Sequence, residues 1–265
     1  MGQLGRILIS NDDGIHAPGL SVMERIASQL SDDVWIVAPE TEQSGASHSL
    51  TLHDPLRMRQ VSDRKFAVKG TPSDCIMMAV KQVIPDAMPD LILSGVNRGG
   101  NLAEDVTYSG TIAAAMEGTI LEIPSIAMSQ VYRYGNRGGV QWSCAEFHAP
   151  AIIRQLCAAG WSSDVLININ FPDVPHAKVE GVEITVQGRR DQSNTVIDAR
   201  VDSRGNDYFW LGLERGASNP PDGTDLHAVY GHRISVTPLH LDLTHHQSQT
   251  DLRSAFQSFS MDGET

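Results

Sequence analysis

The sequence predicts an α/β fold, a parallel sheet covered by helices on both faces, with a β-rich excursion in the last third. Two observations carry this expectation. Short runs that are apolar at successive positions, as strands buried on both faces require, alternate with segments of helical period. After Pro172 the helical segments thin out and strand-like runs follow one another.

The elements follow in chain order. Ile7-Leu8-Ile9-Ser10 is the first strand, stopped by the polar group Asn11-Asp12-Asp13-Gly14. From Pro18, apolar residues at Leu20, Met23, Ile26 and Leu30 keep helical spacing, with proline where its missing N–H costs nothing. Val34-Trp35-Ile36-Val37 is a second strand. Glu40 to Asp54, rich in Ser, Thr, Gly and His and without a period, is a loop. Thr71-Pro72-Ser73-Asp74 has the composition of a helix start, with threonine as cap and aspartate three residues on; Ile76, Val80 and Val83 continue its apolar face. Leu91 to Ser94, Ser125 to Met128 and Val165 to Asn170 are further strands, and Thr111 to Leu121 and Trp142 to Ala159 are helices. Beyond Pro172, Val182 to Val186, Tyr208 to Leu211 and Ile234 to Val236 read as strands. The chain divides into a core at 1–175, a β-rich extension with the last core strand at 176–245, and a tail at 246–265. That tail carries a short helix through Leu252, Phe256 and Phe259.

Composition narrows the function classes. A chain of 265 residues, 41% hydrophobic and 20% charged, is neither disordered nor fibrous and has length for one sizeable core. No window approaches the roughly 18 uncharged apolar residues of a membrane-spanning helix. A net charge of −12 lacks the basic footprint of a nucleic-acid-polymer binder, yet leaves open a small phosphate ester held by a cation. Cys75, Cys144 and Cys157 have no CxxC spacing, and the N-terminus shows no export signal. Reduced thiols in a cytoplasmic protein are the expectation.

Ligands of parallel sheets sit outside the carboxyl ends of the strands, and three polar clusters fall there. The first is Asn11-Asp12-Asp13-Gly14. Its adjacent carboxylates repel unless a cation bridges them or one stays protonated, and their hard oxygens suit Mg²⁺ or Mn²⁺. A solvated turn or a helix cap is the plain alternative. The second is the loop after the second strand, where Ser44 beside Gly45 brings a hydroxyl into range; alone it is an ordinary polar loop. His48 and His53 nearby have the chemistry of proton donors but read as solvent-facing. The third joins Ser94-Gly95-Val96-Asn97 and Asn101 to Ser109-Gly110-Thr111 at a helix start. Asn97 offers an oxygen to a cation, and the helix start favours a phosphate anion. Capping alone explains Ser109 but not the long Gly/Asn run. No P-loop, no GxGxxG after the first strand, no GxSxG elbow and no HExxH occurs. What is left suits metal-assisted hydrolysis of a phosphate ester.

In this order, Ile7 to Ile15, Val37 to Glu40, Gly70 to Cys75, Asp90 to Asn97 and Tyr108 to Gly118 resemble the SurE family. Asn168 to Pro172 and Val236 to Leu239, ahead of Asp242-Leu243-Thr244, are similar to its later landmarks, so the likeness covers about residues 5 to 245. The resemblance implies a Rossmann-like three-layer core and a metal-dependent nucleotidase acting on nucleoside 5′- and often 3′-monophosphates, with short polyphosphate a substrate of some members. It also implies a homodimer or homotetramer whose C-terminal region exchanges segments between subunits. One divalent cation, Mg or Mn, would be held by Asp12, Asp13, Ser44 and Asn97. Phosphate would lie around Asn101, Ser109, Gly110 and Thr111, with Asn11 adjacent, and either Asp12 or Asp13 would serve as the base. Gly231 to Ser235 and Arg98-Gly99-Gly100 depart from the family's pattern; the latter bears on access to the site. The rivals are a non-catalytic, metal-gated phosphate or nucleotide sensor, and a phosphatase for sugar phosphates or polyphosphate. Turnover separates the sensor from both phosphatases.

Overall fold

The computed structural model describes residues 3–84, 86–132, 139–190, 193–215, 219–257 and 259. In chain order the elements are β1 (Ile7–Ser10), α1 (Pro18–Ser28), β2 (Val34–Pro39), β3 (Arg57–Ser62), β4 (Lys65–Lys69), α2 (Pro72–Met78), β5 (Leu91–Arg98), α3 (Gly110–Ile120), β6 (Ser125–Gln130), α4 (Ser143–Ala159), β7 (Val165–Phe171), β8 (Val182–Ile184), β9 (Ser193–Val201), β10 (Asp207–Arg215), α5 (Asp225–Tyr230), β11 (Ile234–His240) and α6 (His246–Ala255).

Among the described residues nine strands form one sheet in the order β3-β4-β2-β1-β5-β6-β7-β11-β8. The run from β4 to β7 is parallel, and β11 pairs antiparallel with β7. The chain leaves β1 towards β2 on one side and later returns to β5 on the other, so the carboxyl ends of β1 and β5 flank the switch point where such sheets open a crevice. Period-two alternation sends Ile7, Ile9, Leu91, Leu93, Ile126 and Met128 to the face covered by α1 and α4. It sends Leu8, Val37 and Ile92 to the opposite face, against Cys75 and Ile76 of α2 and Ala114 of α3. Both faces are therefore core, and the strands are apolar at successive positions for that reason.

The helix start at Thr71 is a capping box: Thr71 Oγ1 accepts from Asp74 N at 3.2 Å, and Asp74 Oδ2 accepts from Thr71 N at 2.8 Å. The helix ends at Met78 and continues as a π-helical turn over Ala79–Val83, which carries Val80 and Val83. Strands β3, β4 and β9 and the short helix α5 were not anticipated. β3 is an edge strand, Arg-Met-Arg-Gln-Val-Ser, largely exposed and hence without an apolar signature. In the extension, β8 joins the main sheet beside β11, while β9 and β10 make a separate two-stranded ribbon. In the tail, α6 carries Leu252; Phe256 caps its end and Phe259 lies beyond it. Residues 258 and 260–265 of the tail lie outside the described residues.

Candidate active site

β1 delivers the chain to Asn11, which is fully buried. Its Oδ1 accepts from Gly14 N at 3.2 Å and its Nδ2 donates to the Gly14 carbonyl at 3.0 Å. That closed turn projects Asp12 and Asp13 in different directions. Asp12 is 4% exposed, and Thr111, at the start of α3, donates its hydroxyl to Asp12 Oδ1 at 2.5 Å. Gly110 lies against the same carboxylate. A Cβ there would stand 2.7 Å from Asp12 Cβ, 3.0 Å from Oδ2 and 3.1 Å from Pro72 Cγ, so glycine is what lets the helix start approach. Ser109 is the N-cap, its Oγ accepting from Ile112 N at 3.1 Å.

Asp13 is half-buried, and its Oδ2 accepts from Arg98 N at 3.1 Å. It lines a cleft of about 290 Å³ together with Glu42, Ser44, Arg98, Tyr132, Trp142 and the start of α1 at Pro18 and Gly19. Ser44 Oγ donates to Glu42 Oε1 at 2.9 Å, and the loop bearing both is anchored by Gln43 N donating to the Asp12 carbonyl at 2.8 Å. Asn97, one residue before Arg98, donates its amide nitrogen to the Gly99 carbonyl at 3.0 Å, which leaves its side-chain oxygen as the atom for a cation. Asn101 lies deeper. Its N–H donates to Asn170 Oδ1 at 2.9 Å and its Nδ2 to Ser129 Oγ at 2.8 Å, while Asn168 and Asn170 both donate to its carbonyl.

The fold thus brings Asp12, Gly110 and Thr111 into direct contact and puts Asp13 and Ser44 in one cleft, with Asn97 beside it. Asn11 spends its amide on Gly14, and Asn101 is 6% exposed within an asparagine cluster. His48, set aside from the site, has Nε2 at 3.0 Å from the buried Glu117 Oε2. Glu42, Tyr132 and Trp142 were not among the expected site residues: Glu42 lies in the second polar cluster, from which only Ser44 was taken, while Tyr132 and Trp142 sit in stretches without a motif and only the fold carries them to Asp13.

Burial pushes the Asp12 carboxyl up to about 6, against the lowering effect of the Thr111 hydroxyl, with Asp13 adding to the rise. Asp13 is also raised, by burial first; the Arg98 N–H opposes this and Glu42 adds to it. Two adjacent carboxylates both resisting ionisation form a site that a cation stabilises. Among the described residues no cluster of three His, Cys, Asp or Glu occurs, so a metal here has to draw on Ser and Asn oxygens as well. The donors are all hard oxygens, which fits Mg²⁺ or Mn²⁺. Beneath them Ser10 and Ser94, in register on β1 and β5, bury hydroxyls that have no partner among the described residues.

The family model described as "Survival protein SurE" matches residues 7–194. A protein named 5′-nucleotidase SurE from Parvibaculum lavamentivorans is 60% identical over 250 residues, 94% of this chain and 90% of that one. Another with the same name, from Methylobacterium radiotolerans, is 58% identical and covers 95% of this chain and 99% of its own. Among solved structures, the crystal structure of the SurE protein from Aquifex aeolicus superposes with a TM-score of 0.81 at 35% identity, over 94% of this chain and 99% of that one.

Proposed function

The chain belongs to the SurE family, and from that premise we propose that it is a metal-dependent 5′-nucleotidase, a phosphoric monoester hydrolase that splits nucleoside monophosphates into nucleoside and phosphate. The observation that carries this reading is the Asp12–Thr111 contact, which joins the acidic turn after β1 to the anion-favouring start of α3.

Asp12, Asp13, Ser44 and Asn97 would hold one divalent cation, Mg or Mn. Bound there, it supplies charge neutralisation at the phosphoryl group and a more acidic water. The remaining work belongs to the chain. N–H groups at Ser109, Gly110 and Thr111 form the positive end of an 11-residue helix, where phosphate oxygens are bound without reorganisation. Asn101, held by Ser129, Asn168 and Asn170, stiffens the loop leading to that helix and borders the phosphate, with Asn11 keeping the acidic turn closed. Asp13 lines the open cleft, whereas Asp12 is buried with one oxygen accepting from Thr111; this favours Asp13 as the acceptor of the attacking water's proton. 3′-Nucleotides and short polyphosphate remain within reach of the same phosphate site.

A homodimer or homotetramer belongs to the same reading. The ribbon of β9 and β10 shows an unpartnered apolar face, with Ile197, Phe209 and Leu211 each more than 60% exposed. The cytoplasmic location expected from the sequence is retained with it; no helix among the described residues is long and apolar enough to cross a membrane.

The test is phosphate release from a panel of nucleoside monophosphates with Mn²⁺, with Mg²⁺ and with EDTA. Many turnovers that vanish with chelator are expected. Tight, metal-dependent binding without turnover would make the protein a sensor and end the enzymatic reading.

A further inference from the structure

The cleft that holds Asp13 has two kinds of wall. One is acidic and hydroxylic, made by Asp13, Glu42 and Ser44; the other is Arg98, Tyr132 and Trp142. The Arg98 charge favours the ionised form of Asp13, but the two aromatic rings supply no ligand to a cation, and nothing in the hydrolytic chemistry asks for them. The Arg98 guanidinium lies over the Tyr132 ring, 5.3 Å from its centroid, and among the described residues it makes no ion pair or hydrogen bond. Its backbone N–H is the group that holds Asp13, so the guanidinium–ring pair starts one residue from a candidate metal ligand. Trp142 rests on the start of α1. Its Cη2 would be 3.1 Å from a Cβ at Gly19, and that Cβ would also strike the Val96 carbonyl, so the floor under the indole is bare backbone. The indole edge packs on the core while the ring lines the cleft, which fixes its plane at little entropic cost.

Flat aromatic faces and a guanidinium plane are the groups that stack nucleobases, and here they share a cleft with Asp13 and Ser44 of the candidate metal site. On the nucleotidase reading given above, we propose that Arg98, Tyr132 and Trp142 form the nucleobase wall of this cleft. They select nucleoside monophosphates over phosphate esters that lack a base. Stacking needs only a π-face, which every base has, so the wall confers selectivity for a nucleotide rather than for one base.

Alanine replacement of a base-stacking side chain weakens binding by roughly 5- to 150-fold. The experiment measures KM and kcat for AMP and UMP, and inhibition by inorganic phosphate, in the wild type and in Arg98→Ala, Tyr132→Ala, Trp142→Ala and Trp142→Phe. KM for both nucleotides should rise about ten-fold in the three alanine variants, with phosphate inhibition within two-fold of wild type. Trp142→Phe should recover most of the loss. Because Trp142 also packs on the core, Arg98→Ala and Tyr132→Ala decide the matter if Trp142→Ala melts early. Unchanged KM in those two natively melting variants would overturn the proposal, as would KM and phosphate inhibition weakening in parallel, which marks damage to the phosphate site. A wild type that releases no phosphate from any nucleotide overturns the nucleotidase reading itself, and that shows before any variant is made.

Discussion

The smallest unit with a consequence is Asp12. Its carboxyl sits under the start of a helix and accepts a hydroxyl hydrogen bond, both of which favour the anion, yet burial outweighs them and raises it from 3.8 to about 6. An acid whose folded value is raised binds more protons folded than unfolded. The metal-free protein therefore loses stability as pH rises from about 4 to about 6, by about 3 kcal/mol for a shift of this size. Asp12→Asn removes that loss. In EDTA, the variant's advantage in urea unfolding should be near zero at pH 4 and grow towards about 3 kcal/mol at pH 7; a constant difference would contradict the assignment. In the wild type, Mn²⁺ affinity should fall as pH drops through about 6, because protons compete for the same oxygens; titration calorimetry at pH 5 and 7 checks this. Asp13→Ala, with native folding shown by its melt, should abolish turnover, and retained turnover would remove it from the site. The acidic pair was legible because polar residues at a strand end stand out. Its partner Thr111, 99 residues from Asp12, was expected beside a phosphate from its place at a helix start and from family likeness, and only the fold shows that it bonds Asp12.

At the scale of elements, α3 is the part that the site depends on. Ser109 caps it, and Ser109→Ala should cost about 1 kcal/mol in stability, read from chemical denaturation. Gly110→Ala would ordinarily favour a helix. Here its Cβ would press on Asp12 and Pro72, so a shift of the order of 1 Å at the carboxylate should lower kcat/KM by about 100-fold. Activity within two-fold of wild type would mean that this close approach is unimportant. Helix starts were readable because capping is local: Thr71 and Asp74, with Pro72 between them, lie within four residues and satisfy one another's N–H groups. β3 was not readable, since an edge strand facing solvent has no alternation to display, and β9 is exposed from Ile197 to Val201.

For the whole molecule, the ribbon is the feature that a lone chain does not explain. Leu211 pairs with Ile197 and Phe209 with Ala199, making one apolar face on a two-stranded sheet of marginal stability in water. The wild type should run in light scattering at two or four times 28.8 kDa, and a Phe209→Asp, Leu211→Asp double variant should fall towards a single chain. A monomeric wild type would refute the oligomer. The chain's apolar periods and caps by themselves determined the alternation of strands and helices, the two-faced core and the polar groups at the strand ends, because each of these is written within a few neighbouring residues. Strand order decided the rest. With β5 beside β1, Arg98 meets Asp13 and Asn97 stands next to it; the loop after β2 brings Glu42 and Ser44, and the segment after β6 brings Tyr132 and Trp142. Such contacts join residues 30 to 130 positions apart, and no local pattern encodes them; they exist only once the sheet has closed around its core.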